Sequence, residues 1–225
     1  MDLLLRGNLE SLAAWTEHWN TRRFWLHVAV ILVGAGLYGA AMGCWRDPQQ
    51  AFYVAVKFPL IILLTVVGNA LLNGMLAPLL GLNVPFRRSF SAILMSFAIA
   101  SAILGAFSPI IAFCIWNAPT MTSNSAGTVY SFILLAHMTV IALAGVTGNM
   151  RLFQLLQKLG GSRTIALRVL LAWLTGNLFL GSQLSWILRP FIGSPNLPVE
   201  FLRNTAFQGN FYEAVFHSLV TIFNQ

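Results

Sequence analysis

Five stretches of the chain are almost entirely apolar, and each is about as long as a membrane-spanning helix. They lie at residues 24–45, 54–80, 89–116, 129–148 and 166–188. A helix of about 20 apolar residues crosses the roughly 30 Å of hydrocarbon in a bilayer. Lipid offers no hydrogen bonds to the backbone, so such runs must form helices or closed barrels. The pattern predicts an all-α fold, a polytopic transmembrane bundle of five helices over residues 24–188.

Both ends of the chain are amphipathic and too short in apolar length to cross. In residues 1–23, apolar side chains including Leu9 and Trp15 share one helix side, which predicts an interfacial helix. Residues 189–225 begin with a linker and end in "GNFYEAVFHSLVTIFNQ" (209–225), where Asn210 and Glu213 resemble a capping box. About fifteen helical residues reach only about 22 Å. We expect a short helix on the membrane surface or in the bundle mouth.

The fifth stretch ends at the dipeptide Arg189-Pro190. Proline cannot continue the helical hydrogen-bond ladder, and it disfavours helix at the residue before it. Arg189 should therefore lie near the interface, where its guanidinium can bond phosphate, a carboxylate or exposed carbonyl oxygens.

Composition excludes an ordinary soluble domain. The chain is 57% hydrophobic and only 8% charged, whereas a small domain needs charges over about a quarter or more of its surface. The net charge of +7 does not indicate nucleic-acid binding, because the cations flank the apolar stretches and suit anionic headgroups. Membrane lipids are the predicted partners.

The distribution of Lys and Arg predicts the orientation. Five crossings place nine cations on one side of the membrane: Arg6, Arg22, Arg23, Arg87, Arg88, Arg151, Lys158, Arg163 and Arg168. The other side has four: Arg46, Lys57, Arg189 and Arg203. By the positive-inside rule, the N terminus is cytoplasmic and the C-terminal tail lies on the opposite side of the cell membrane.

Five polar side chains lie within the predicted spans. They are Asn69 and Asn73 in the second, His137 in the fourth, and Asn177 and Gln183 in the fifth. If these three spans face one another, the side chains could line a narrow polar path for water or a partly dehydrated ion. The alternative is that each amide bonds a neighbouring helix, at about 0.6 kcal/mol apiece. The histidine alone is more typical of packing than of a ligand.

Small residues and tail charges offer two further contacts. Gly39 and Gly43 in the first span form a small-xxx-small pair, which predicts close helix packing within the chain or in a homo-oligomer. In the tail, Arg189, Glu213 and His217 could form a functional cluster at a vestibule. They could instead form a clip that docks the tail on the fifth span, with Arg189 pairing with Glu213.

Signatures of enzymes and metal sites are absent from the sequence. There is no G-x-S-x-G, H-E-x-x-H, C-x-x-C or P-loop pattern. The two cysteines, Cys44 and Cys114, have no Cys or His at metal-ligand spacing. We therefore predict a non-enzymatic protein without a metal or cofactor.

The C-terminal region resembles a known group of proteins. "SWILRPFIGSP" followed by "GNFYEAV" is similar to the C-terminal signature of a little-characterised group of bacterial multi-pass membrane proteins. The five-span layout also resembles the Yip1 family in hydropathy. The sequence thus favours a channel-like or transport-related protein with a polar path between spans 2, 4 and 5. The alternative is a Yip1-like membrane-organising or scaffold subunit that packs with membrane-protein partners.

Overall fold

The computed structural model describes residues 20–120, 126–193 and 197–223. Five helices are long and apolar enough to cross a membrane. They are α1 (Thr21–Gly43), α2 (Pro48–Leu79), α3 (Phe86–Trp116), α4 (Ala126–Gly160) and α5 (Arg163–Ile187), and a short α6 (Phe211–Phe223) follows. The described part of the chain contains no strand. The predicted all-α class with five spans is confirmed, and the chain is a multi-pass integral membrane protein.

Capping residues explain why the helices begin earlier than predicted. The Asn20 side chain accepts hydrogen bonds from Arg22 N at 2.9 Å and Arg23 N at 3.3 Å, so α1 starts at Thr21 rather than 24. Asp47 accepts from Gln49 N at 2.7 Å, and Pro48 occupies the first helical turn of α2. Proline suits that position because its missing N–H has no partner there. The start predicted at residue 54 was wrong.

Two further expectations were wrong in extent. The fourth stretch, predicted to end at 148, continues as α4 to Gly160, and the fifth, predicted to begin at 166, starts as α5 at Arg163. Because α2 begins at Pro48, Pro59 lies inside the helix and not in its first turns. Most of the interfacial helix predicted at 1–23 falls outside the described residues, and residues 21–23 belong to α1.

The helix α3 is the centre of the bundle. It packs against α1, α2 and α4, while α5 packs against α2 and α4. Fully buried side chains from α3, α4 and α5 meet in the core, among them Met95, Ile99, Leu155 and Trp173. For brevity, the end of the bundle where α5 finishes and α2 begins is called the tail end.

Glycines bring α1 and α2 into backbone contact. A Cβ placed on Gly39 would lie 2.5 Å from the Val54 carbonyl oxygen, and one on Gly43 would lie 2.7 Å from Ala51 Cα. Only a residue without a side chain permits this approach. The predicted small-xxx-small pair therefore packs two helices of the same chain.

Candidate functional site

Three amides, two of them buried and one half-buried, join α2 to α5. Asn69 donates from Nδ2 to the Asn177 side-chain oxygen and, at 3.3 Å, to the Trp173 carbonyl. Asn73 donates to the Asn69 carbonyl at 2.8 Å and to its side-chain oxygen. Asn69 and Asn73 are 0% and 1% exposed. We call Asn69, Asn73 and Asn177 the amide cluster; the sequence identified its members, and the structure brings these three together.

His137 lies apart from the amide cluster. The Tyr38 hydroxyl in α1 is 2.9 Å from His137 Nδ1, and the two rings meet edge to face at 5.4 Å. Tyr38 is 0% exposed and His137 is 2% exposed. The structure therefore pairs α4 with α1 at this histidine instead of joining it to the amides of α2 and α5.

Gln183 contacts the tail. Its side-chain oxygen accepts a hydrogen bond from Phe211 N, at the start of α6, at 3.2 Å. The Tyr212 hydroxyl donates to the Phe179 carbonyl at 3.0 Å and lies 2.7 Å from Ser182 Oγ. The tail helix is thus docked on α5 of its own chain. Of the five predicted path residues, only the three asparagines of the amide cluster are joined by hydrogen bonds.

The predicted cap of the tail helix is present. Asn210 Oδ1 accepts from Glu213 N at 2.8 Å, and its Nδ2 lies 3.4 Å from Glu213 Oε2. These two bonds satisfy one exposed backbone donor and hold the Glu213 carboxylate at the positive end of the helix.

Arg189 bonds carbonyl oxygens of its own chain instead of the Glu213 carboxylate. Its guanidinium donates to Trp186 O at 2.6 Å and Thr205 O at 3.2 Å, and stacks 3.8 Å above the Trp186 ring. Burial and the neighbouring charge of Arg203 lower the pKa of Arg189 below its ordinary value. These contacts of Arg189 do not include Glu213, which was predicted to pair with it. The third member of the predicted tail cluster, His217, has a side chain outside the described part of the structure.

The chain beyond α5 returns over the tail end of the bundle. We call residues 188–193 and 197–206 the return segment. Gln50 Nε2 donates to Pro190 O at 3.0 Å and Phe191 O at 2.8 Å. Lys57 Nζ donates to Pro190 O at 3.2 Å and Glu200 O at 3.5 Å. Non-helical backbone has unpaired carbonyls, and donors from α2 satisfy them here.

The sequence did not reveal this anchoring role. Lys57 was predicted only as one of the four cations of its side, but it is 0% exposed and its ammonium lies 5.1 Å from the Phe201 ring centre. Gln50 precedes the start predicted for the second span, yet it lies in α2, seven residues before Lys57. The seven-residue spacing of these two polar residues could have indicated that they share one face of a helix. The start predicted at residue 54 left Gln50 outside that helix.

A cavity of about 380 Å³ separates α3 from α4 near the tail end. Its lining runs from Asn117 and Pro119, just past α3, to His137 in α4. Farther from the tail end, the two helices are in close contact, because a Cβ on Gly148 would lie 2.8 Å from the Ser96 carbonyl oxygen. The two helices therefore diverge towards the tail end.

Within the described ranges, no group of three or more His, Cys, Asp or Glu side chains is placed to hold a metal ion. Cys44 and Cys114 are both free thiols.

Comparisons with known proteins add no relative. No family model matches the chain, and neither a curated protein nor a solved structure matches it.

Proposed function

We propose that the protein is a non-enzymatic, non-conducting structural component of a bacterial cell membrane, a membrane-organising or scaffold subunit. One observation carries the proposal: Asn69, the central amide of α2, bonds Asn177 and a backbone carbonyl of α5. Amides that bond neighbouring helices hold a bundle together, whereas amides of a conducting path must face water or an ion.

The tail supports the same proposal. Gln50 and Lys57 direct their donors to carbonyls of the return segment, which packs on the start of α2 at the tail end of the bundle. A segment held over this end favours a closed bundle. The remaining surface is apolar, since only 17% of the most apolar part of α5 is buried, against 39% in α1. Such a surface suits lipids or the spans of neighbouring membrane proteins, including a second copy.

The channel-like hypothesis has weaker support. It required spans 2, 4 and 5 to contribute to one polar path, but His137 bonds Tyr38 of α1 and Gln183 bonds the tail. Buried apolar residues of the central α3, including Met95 and Ile99, are 0% exposed. The orientation proposed from the cation distribution, with a cytoplasmic N terminus, is kept.

Conductance of the purified protein in planar bilayers tests the proposal. We expect the wild-type protein to give no current above that of protein-free bilayers. Asn73→Leu and Asn177→Leu should lower the thermal stability of the bundle without changing conductance. Asn149→Leu is the matched control, because the Asn149 amide bonds the Gly145 carbonyl of its own helix, at 2.8 Å, and no other group among the described residues.

A current that Asn177→Leu abolishes and Asn149→Leu preserves would reject the proposal in favour of a channel. For the organising role, blue-native electrophoresis of membranes in mild detergent should place the protein in an assembly larger than its 24.7 kDa monomer. Migration only as a monomer, over a range of mild detergents, would contradict that role.

A further inference from the structure

The return segment has an excess of positive charge that the proposed function does not use. Four cations belong to it or donate to its carbonyl oxygens: Arg46, Lys57, Arg189 and Arg203. Its described residues include a single acid, Glu200, and that carboxylate forms no ion pair with any described residue. Cations that lie close together without counterions create a positive potential that attracts an anion.

Three of these cations already have acceptors within the chain. Arg46 donates to Leu197 O at 3.2 Å, and Arg189 donates to Thr205 O at 3.2 Å. Lys57 is 0% exposed, and its donors face carbonyl oxygens. It therefore adds positive charge beneath the segment but cannot contact a ligand.

Arg203 differs from the other three cations. Its side chain is half-buried and forms no hydrogen bond or ion pair with any residue that the structure describes. Its backbone is held in a turn, because Arg203 O accepts from Ala206 N at 2.9 Å. Burial and then the positive charge of Arg203 lower the pKa of Arg189, so the two guanidinium groups are neighbours. A guanidinium presents five N–H donors in a planar fork that matches phosphate oxygens.

Exposed apolar side chains lie beside Arg203 in the sequence. Phe207 is 78% exposed, and Phe201 and Leu202 are each 38% exposed. The segment also follows directly on a membrane-spanning helix, since α5 ends at Ile187. Apolar groups next to a cation are typical of the membrane interface, where the apolar groups contact acyl chains and the cation contacts headgroups.

We propose that the return segment binds the phosphate group of an anionic phospholipid, with the Arg203 guanidinium donating to the phosphate oxygens. A free phosphate ion has the same chemistry, but it would leave Phe207 and Leu202 exposed to water, whereas lipid chains cover them. A zwitterionic lipid also has a phosphodiester, but the nearby cations repel its choline group. The proposal thus predicts a preference for anionic headgroups that depends on Arg203.

Amide hydrogen exchange measures binding at this segment. The full-length protein is placed in nanodiscs of phosphatidylcholine alone, or of phosphatidylcholine mixed with phosphatidylglycerol. We expect exchange over residues 201–206 to be about tenfold slower with phosphatidylglycerol, as one hydrogen bond to a charged group provides. Arg203→Gln should abolish the slowing, and Arg203→Lys should keep part of it, because the charge remains and the fork is lost.

Arg163→Gln is the matched control. It removes the same charge from an exposed arginine at the start of α5, at the opposite end of the bundle, and it should leave the slowing unchanged. Arg203→Gln should unfold at the wild-type temperature, because the Arg203 side chain bonds no described residue. An anionic surface also slows exchange by concentrating protons, but that effect does not require Arg203. Slowing that survives Arg203→Gln would therefore overturn the proposal.

Inorganic phosphate added to the phosphatidylcholine nanodiscs distinguishes the two sources of the anion. Slowing that requires both phosphatidylglycerol and Arg203 supports the lipid. Slowing by inorganic phosphate alone would contradict the lipid and assign the site to a free phosphate. No slowing by either probe would overturn the site altogether. This lipid site does not rest on the structural role given above, because conductance and assembly size are measured separately.

Discussion

Polar side chains have different partners at two helix contacts, that of α2 with α5 and that of α3 with α4. Between α2 and α5, Asn69 bonds Asn177 and a backbone carbonyl, and Asn73 bonds Asn69. Between α3 and α4, a cavity of about 380 Å³ reaches His137, whose Nε2 has no partner among the described residues. The amides bond across α2 and α5, although Asn73 Oδ1 has no partner among the described residues, whereas His137 bonds away from α3, to Tyr38 of α1.

Small residues account for part of this difference. Glycines bring α1 close to α2, and a Cβ on Gly176 of α5 would lie 2.7 Å from Asn69 Oδ1. The helix α4 meets α3 closely at Gly148 but not at the cavity. Close approach leaves no space between the helices, and divergence of α3 from α4 creates the cavity. The comparison predicts large effects of substitutions on α2 contacts and small effects at the cavity.

The largest expected effect comes from Gly39→Leu. The new side chain would collide with the Val54 carbonyl, which lies 2.5 Å from the position of a Cβ. A backbone group of a packed helix cannot move aside, so we expect a loss of about 3 kcal/mol or more in stability. Thermal unfolding in mild detergent measures it. Gly145→Leu is the control, because nothing lies within 4 Å of a Cβ at Gly145. Equal losses for both variants would contradict the packing described.

The next effect concerns the return segment. The double variant Gln50→Leu/Lys57→Met removes the donors to Pro190 O and Glu200 O while keeping apolar volume. We expect limited proteolysis between residues 197 and 206 to be about tenfold faster, which corresponds to about 1.4 kcal/mol of lost anchoring. Asn149→Leu is the matched control, since the Asn149 amide bonds the Gly145 carbonyl of its own helix, away from this segment. An unchanged cleavage rate would mean that α2 does not hold this segment.

A moderate effect is expected for Asn69→Leu. This change removes the donor to Asn177 and to Trp173 O, and the acceptor of Asn73. At about 0.6 kcal/mol per hydrogen bond in a membrane, we expect a loss of about 1–2 kcal/mol in the free energy of unfolding. Asn149→Leu should change it by less than about 0.5 kcal/mol. The comparison fails if the two substitutions destabilise the bundle equally.

The smallest effect is expected for His137→Phe. The substitution removes the hydrogen bond between Tyr38 and Nδ1, about 0.5–1.5 kcal/mol, and leaves the buried Tyr38 hydroxyl only the carbonyl of residue 137, 3.5 Å away. It also removes Nε2, a buried polar atom without a partner among the described residues, which is worth about 1–3 kcal/mol. These effects oppose each other, so stability should stay the same or rise slightly in the same unfolding measurement. A loss above about 2 kcal/mol would show that Nε2 has a stabilising partner within the protein.

Hydropathy predicted the number of spans because a bilayer demands long apolar helices, whatever their neighbours. The Asn210 cap was predicted from a local pattern, since Asn210 and Glu213 are three residues apart. A local contact of the same kind occurs in α3, where the Ser108 hydroxyl donates at 2.7 Å to Gly105 O, the carbonyl that Pro109 leaves without an N–H.

Contacts between distant residues could not be predicted in this way. All five path candidates were known to lie within spans, but the partner of His137 is 99 residues away in α1. The predicted helix boundaries were also misleading. They placed Lys57 near the start of the second span, where a lysine can reach water, whereas it is buried against the return segment. Hydropathy does not specify which helix faces which, and side-chain pairing depends on that arrangement.

The central claim is that Asn69 and Asn177 join α2 to α5, and a double-mutant cycle tests it most directly. The unfolding free energies of Asn69→Leu, Asn177→Leu and the double variant should give a coupling of about 0.6 kcal/mol, within an upper range of about 1.7 kcal/mol. The same cycle for Asn69→Leu and His137→Phe should give a coupling near zero. Strictly additive effects for Asn69 and Asn177 would contradict the account.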